Sequence, residues 1–163
     1  MIIRLKNKDK LIANDFIFKC CIGRKGLNKH KIEGDNCTPK GTFKIGDVYY
    51  RSDRVKKPKT NLKCIKIKKK MGWCNNSLDK YYNKLVIIKK NLKAEKLYRR
   101  DYKYNYFIDI KYNSKNVKPF KGSAIFIHLT NNYKPTAGCL ALKEKDFLIL
   151  LKIINKNFKI SIH

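Results

Sequence analysis

A thiol and an imidazole stand eleven residues apart in a setting suited to nucleophilic chemistry. His128 ends the apolar run Ile125-Phe-Ile-His, and Cys139 directly follows Gly138 in Pro135-Thr-Ala-Gly-Cys-Leu-Ala-Leu. A sulfur nucleophile needs a base within hydrogen-bond reach, and a small residue beside it lets a substrate carbonyl approach the backbone amides. The His run reads as a buried strand, and Thr136–Leu142 as a turn entering a second short strand. Two neighbouring strands would bring the side chains face to face, within one hydrogen bond or one bridging water. The plain alternative is a buried cysteine and a core histidine, because a free Cys commonly behaves as a small hydrophobe.

The elements that must carry these residues are mostly short β-type runs separated by polar turns. They are Met1–Leu5, Leu11–Ala13, Phe16–Ile22, Gly41–Tyr50, Leu62–Ile67, Leu85–Ile88, Tyr106–Tyr112, Ala124–Leu129, Gly138–Leu142 and Phe158–Ile162. Asp35-Asn-Cys-Thr-Pro-Lys-Gly is a turn cluster ahead of a strand. Lys68–Tyr82 reads as an irregular surface excursion that Trp73 pins to the body. Leu92–Arg100 is equally compatible with a short helix or a loop. The one strong helix spans Lys143–Asn157, with Phe147, Leu148, Leu150, Leu151 and Ile154 on a core-facing stripe and Glu144 and Asp146 in the first turn. The expected architecture is one β-rich α+β domain over residues 1–163, with a C-terminal helix packed on a sheet.

Composition limits the classes. Of 163 residues, 43% are hydrophobic and 12% aromatic, which excludes a disordered polymer. Forty basic residues against 12 acidic give a formal charge of +28, a balance that favours anionic surroundings. Only six of the basic residues are Arg, however. With abundant Asn and Ile, the lysine excess reads as the coding bias of an AT-rich genome. Arg51 and Arg54 flank Asp53, and Arg99-Arg100 precede Asp101, so local ion pairs are expected at both places. The cysteines at 20, 21, 37, 64, 74 and 139 contain no Cys-x-x-Cys, and His30, His128 and His163 are far apart, so no metal site is expected. Cys20 and Cys21 point to opposite faces of their strand, with at most one toward the core. No secretory signal is visible in the first residues and no run reaches transmembrane length.

The ordered motifs give a family resemblance. His128 followed by the Thr136-Ala-Gly-Cys turn resembles the signature of the YkuD-type L,D-transpeptidases, and Glu33-Gly-Asp-Asn-Cys-Thr-Pro-Lys-Gly-Thr-Phe resembles that family's Thr-Pro-x-Gly-x-Phe segment. Tyr50-Arg-Ser-Asp-Arg, Gly72-Trp-Cys, Tyr82-Asn, Glu95-Lys-Leu-Tyr-Arg-Arg-Asp and Gly122-Ser-Ala-Ile-Phe resemble one soluble branch, in consistent order from about Gly23 to Leu151. The chain departs from the usual pattern at three places. Leu129 stands where Gly follows the His, Ala141 where an Arg lies two residues after the Cys, and Ala137 where many members have a second His.

The resemblance implies a mixed β-sandwich-like catalytic fold and a cysteine acyltransferase that cross-links peptidoglycan stem peptides through a thioester. Cys139 is then the nucleophile and His128 the base, its ring oriented by a backbone carbonyl. Amides around Gly138 and Cys139 would hold the oxyanion. Thr136 would steady the turn or meet substrate, Thr38, Pro39 and Gly41 would shape a groove wall, and Trp73, Tyr82 and Tyr98 would line the groove. Arg99 or Arg100 would supply the charge missing at Ala141, or else the missing guanidinium would redirect the enzyme to cross-links of the first-to-third type. No cofactor or metal is implied. The expected protein is a monomer of the periplasm or cell envelope, or of the cytoplasm in the absence of a leader, with no specific nucleic-acid partner. Three other readings stay open: a basic non-catalytic module binding nucleic acid or an anionic envelope polymer, an L,D-carboxypeptidase or amidase on the same fold, and an inactive protein of that fold.

Overall fold

A computed structural model describes residues 1–90 and 92–163. Ten of its fourteen strands answer to the apolar runs above: β1 (Ile2–Lys6), β2 (Lys10–Ala13), β3 (Phe16–Cys21), β6 (Gly41–Tyr50), β7 (Cys64–Lys66), β9 (Leu85–Ile87), β11 (Tyr106–Ile110), β12 (Phe126–Leu129), β13 (Leu140–Leu142) and β14 (Lys159–Ile162). Four more were not among those runs: β4 (Leu27–Asn28), for which no element was assigned, and β5 (Thr38–Pro39), β8 (Met71–Cys74) and β10 (Ala94–Lys96), which lie where a turn, a surface excursion and an undecided segment were expected. β8 overturns the excursion: all four of its residues are buried and it is the central strand of a three-stranded sheet, β10-β8-β9. It carries no period-2 pattern because both its faces are covered, which only tertiary packing reveals.

The main sheet runs β11-β12-β13-β3-β2-β1-β14-β6-β7, and β6 returns to pair with β11. The sandwich-like arrangement therefore gives way to a closed, barrel-like sheet. The ten-residue β6 makes this possible. Its first half pairs with β14 at Gly41–Lys44, and its second half pairs with β11 from Ile45 to Tyr50. A bulge between Ile108 and Ile110 lets β11 follow the bend. There the Asp109 carboxylate is buried, accepting from the Asp47 N–H and the Lys111 ammonium, and Gly46 makes the space for it. A Cβ on Gly46 would lie 1.9 Å from Asp109 Oδ1.

Apolar residues facing the inside of the closed sheet form the larger core, including Ile3, Leu11, Val48, Ile108, Ile127, Leu129, Leu140 and Leu142. The single helix α1 (Glu144–Ile153) adds Phe147, Leu150 and Leu151. It is shorter than expected because Ile154 turns to an extended conformation (ψ 154°), where it still reaches the core beside Phe158. No helix among the described residues is long and apolar enough to cross a membrane.

The opposite face of β11, β12 and β6 is also covered. Tyr49, Phe107 and Phe126 pack there against Met71 and Trp73 of the small sheet, with Leu97 and Tyr104. Cys20 and Cys21 illustrate the two-sided burial: both are buried, Cys20 in the main core, and Cys21 on the other face with its thiol donating to Lys134 O at 3.3 Å.

Candidate functional site

Strand register places the imidazole. β12 and β13 are parallel, with His128 opposite Ala141 and Ile127 opposite Leu140. Ile127 and Leu129 point into the main core, so the alternation of the strand sends Phe126 and His128 to the other face. On that face Tyr49, Phe107, His128 and Ala141 form one row across four strands. Cys139, two residues before Ala141, shares the face. Its sulfur accepts a hydrogen bond from Phe126 N at 3.3 Å and donates to Ala124 O at 3.2 Å.

A separate set of bonds fixes the nucleophile turn. Thr136 Oγ1 donates to Cys139 O at 2.6 Å and accepts from Gly138 N at 3.1 Å. Thr136 N and O bond the backbone of Ile22 and Arg24, tying the turn to the end of β3. Thr38 Oγ1 donates to Gly138 O at 2.8 Å and accepts from Gly23 N. Gly138 has φ +144°, and a Cβ there would lie 2.8 Å from Cys37 O, so only glycine suits the position.

A cavity of about 470 Å³ opens onto this face. His128, Gly138, Cys139, Thr136 and Arg99 line it. Thr38, Pro39, Gly41 and Trp73 do not. Thr38 is fully buried beneath the turn and acts on Gly138 from behind. Gly41 starts β6 opposite Ile162. Trp73 is a packing residue, edge-on to Tyr49 and Phe126, with its indole N–H donating to Asn83 Oδ1 at 2.9 Å. Tyr82 and Tyr98 do not line it either: Tyr82 donates to Glu33 of the cavity wall, and Tyr98 donates to Asp53 away from it. Arg99 forms the expected ion pair with Asp101 at 2.6 Å, and its guanidinium lies 5.0 Å from the Tyr104 ring centre. Arg51 pairs with Asp53 at 2.8 Å as expected, yet it is buried and stacks on Tyr98.

Several cavity residues were not among the expected site residues, although Glu33 and Glu95 open two of the motifs that carry the resemblance. Glu95 accepts from the buried Tyr104 hydroxyl, and the Tyr104 ring stands edge-on to His128 at 5.5 Å. Glu33 accepts from Ser123 at 2.7 Å and Tyr82 at 2.5 Å. Asn75 lines the cavity too, and its buried Oδ1 has no hydrogen-bond partner among the described residues. Lys31, one lysine in a lysine-rich chain, is 4% exposed and bonds Asp35 at 2.7 Å. No group of three metal-ligating side chains occurs among the described residues.

The electrostatics hold the thiol and the ring neutral at rest. Burial pushes the Cys139 thiol up to about 12, with the nearby Glu95 charge adding to the effect and the Phe126 amide and Lys31 opposing it. The residue itself is only half-buried, so this desolvated sulfur sits at the cavity wall within reach of a ligand. Burial drives His128 down to about 4, against a hydrogen bond to Leu129 O that favours the charged form. Glu95 is also raised by burial. His128 Nδ1 lies 2.9 Å from Leu129 O. A carbonyl can only accept, so Nδ1 carries the hydrogen and Nε2 keeps its lone pair.

No curated protein matches the chain. Among solved structures it is similar to the helical cell shape determining protein Pgp2 from Campylobacter jejuni, at 16% identity and a TM-score of 0.53. The match covers 99% of this chain and 46% of that one, so the chain spans less than half the length of the protein it resembles. At that identity the likeness bears on the fold. The family model for the L,D-transpeptidase catalytic domain (YkuD) matches residues 3–162, nearly the whole chain, and the protein belongs to that family.

Proposed function

We infer that the protein is a cysteine acyltransferase of the cell envelope, acting on peptidoglycan stem peptides, with residues 1–163 as one catalytic unit. The observation that carries this is the placement of Cys139 and His128 on one face of two paired strands, at the wall of a single cavity, with Nδ1 of the ring already fixed by Leu129 O. Family membership supports the substrate class.

In the proposed reaction the Cys139 thiol adds to a stem-peptide carbonyl. An S–C bond forms as the thiol proton passes to His128 Nε2. Because both groups are neutral at rest, the proton moves as the bond forms, as general-base catalysis rather than from a preformed ion pair. The hydrogen must first leave Ala124 O for the ring. Gly138 N–H is already committed to Thr136, so the Cys139 amide is assigned to the developing oxyanion. Collapse breaks the C–N bond, and His128 returns its proton to the leaving amine. A second amine then attacks the thioester, giving the cross-link and restoring the thiol.

Ala141 faces His128 with no charge, and Arg99 is held by Asp101, so neither position supplies a free guanidinium to a donor carboxylate; Arg24, exposed at the cavity wall, is the other arginine there. A bidentate contact of that kind contributes ~1.5–3 kcal/mol. Its absence supports attack near the start of the stem and cross-links of the first-to-third type. The test is incubation of the purified protein with defined muropeptides, read by mass spectrometry. The expected products are an acyl-enzyme on Cys139 and first-to-third dimers. Exclusive third-to-third dimers would remove the role given to Ala141, hydrolysed stems alone would make the protein a peptidase, and unchanged muropeptides would remove the activity.

A further inference from the structure

Lys31 is the only buried lysine among the described residues. Its environment is built on two glycines. The Lys31 stem lies against Gly122, where an added Cβ would come within 2.8 Å of Cε, and Gly122 has φ +94°. Its Nζ lies 3.6 Å from the position a Cβ on Gly138 would take. The ammonium thus stands beside the peptide that precedes the nucleophile, and it lines the same cavity as Cys139. Asp35 accepts one of its three N–H donors, and the same carboxylate accepts from Cys37 N at 2.9 Å and Ile32 N at 3.0 Å. Asp35 is therefore fully occupied in aiming the lysine and its own loop. The other cations of the cavity wall are less desolvated: Arg99, also ion-paired, has a third of its side chain exposed, and Arg24, Lys103 and Lys134 are exposed.

We propose that the Lys31 ammonium is the cation of the acyl-transfer site, stabilising the negative charge that collects on the sulfur and on the substrate oxygen as Cys139 attacks. The proposal deepens the acyl-transfer reading and rests on it for the substrate. A positive charge fixed in a desolvated site acts far more strongly than one in water, and it needs no reorganisation when the charge develops. The Asp35 partner tempers that field at rest without removing it, since the remaining donors of the ammonium are unclaimed among the described residues.

The thiol itself reports the effect without any substrate. The rate of Cys139 alkylation by iodoacetamide at pH 8 is measured by intact mass in the wild type, Lys31→Met and Asp35→Asn, each checked for folding by circular dichroism. Lys31→Met removes the charge and is expected to slow alkylation about three-fold or more, a lower thiolate fraction being partly offset by higher intrinsic nucleophilicity. Asp35→Asn leaves the lysine uncompensated and is expected to speed it by a similar factor. A purely structural role for the pair would move both variants the same way, or neither, and either result overturns the proposal. If one variant fails to fold, the direction of the other decides. On muropeptides, Lys31→Met is expected to lower kcat about 10²-fold with KM little changed, and Lys31→Arg to recover part of it. Opposite alkylation shifts with no muropeptide turnover in the wild type would keep the cation and overturn only the substrate reading.

Discussion

The two faces of β12 put opposite physics on one strand. Ile127 and Leu129 point into a core built of aliphatic and aromatic side chains, where every contact is apolar and the helix α1 completes the packing. Phe126 and His128 point the other way, to an aromatic wall of Tyr49, Phe107, Trp73 and Tyr104 interrupted by Cys139, Glu95 and the cavity. The first face holds the closed sheet together. The second gives up part of that stability to a thiol and an imidazole kept neutral by desolvation, which is how a site stores reactive side chains until a ligand arrives. Changes on the first face should cost stability and leave chemistry intact in whatever remains folded, and changes on the second should do the reverse.

The largest effect is expected on the chemical face. Cys139→Ser should reduce acyl transfer by at least about 10³-fold, with a melting temperature within a few degrees of wild type. A Ser variant with full activity would remove Cys139 as nucleophile.

On the other face, Ile127→Ala deletes buried apolar volume between β11 and β13 and should cost ~2–5 kcal/mol in urea unfolding. Folded protein should still alkylate at Cys139 at the wild-type rate. Gly46→Ala also acts on stability, although Asp109 lies opposite Phe126, on the other side of the sheet from Ile127. The new methyl meets the Asp109 carboxylate, and the closure of β6 on β11 should weaken by ~1–3 kcal/mol or more. Loss of less than about 0.5 kcal/mol would mean that the bulge yields freely.

The pH dependence of stability is a property of the chemical face. His128 is driven from an ordinary value of 6.5 to about 4 by burial. Between those values the unfolded chain binds the proton and the folded one does not. Stability is therefore complete above about pH 6.5 and falls as the pH drops toward 4, by ~3 kcal/mol in all. Urea unfolding of wild type and His128→Gln at pH 7 and pH 4 checks this, since the variant should lack that increment. The same neutrality puts the acid limb of kcat/KM near pH 4 rather than near 6.5.

The smallest effect is expected at the rim. Asp101→Ala breaks a partly exposed pair with Arg99 and should cost less than about 1 kcal/mol. A much larger loss would show that Arg99 braces Tyr104 and, through it, the His128 ring.

Much of this was legible in the chain. Gly41–Tyr50 is a strand from end to end as its apolar pattern implies, and the Arg99–Asp101 and Arg51–Asp53 pairs form from residues two apart. The groove residues were less legible. Thr38, Pro39 and Trp73 look like substrate contacts because they recur in motifs, yet Thr38 serves Gly138 through a hydrogen bond spanning 100 residues and Trp73 serves the core. Nothing local tells a motif residue that touches ligand from one that holds up the residue that does.

The sequence by itself determined ten of the strands, the helix α1, the Gly138–Cys139 turn and the apolar run ending in His128, because these depend on periodicity and on backbone freedom at neighbouring positions. Only the tertiary structure decided that the sheet closes through the two halves of β6, that β8 is a buried central strand, and that the buried Lys31 stands beside Gly138. Those outcomes rest on pairings between residues tens of positions apart, and on desolvation, which belongs to a place in the fold and to no residue type.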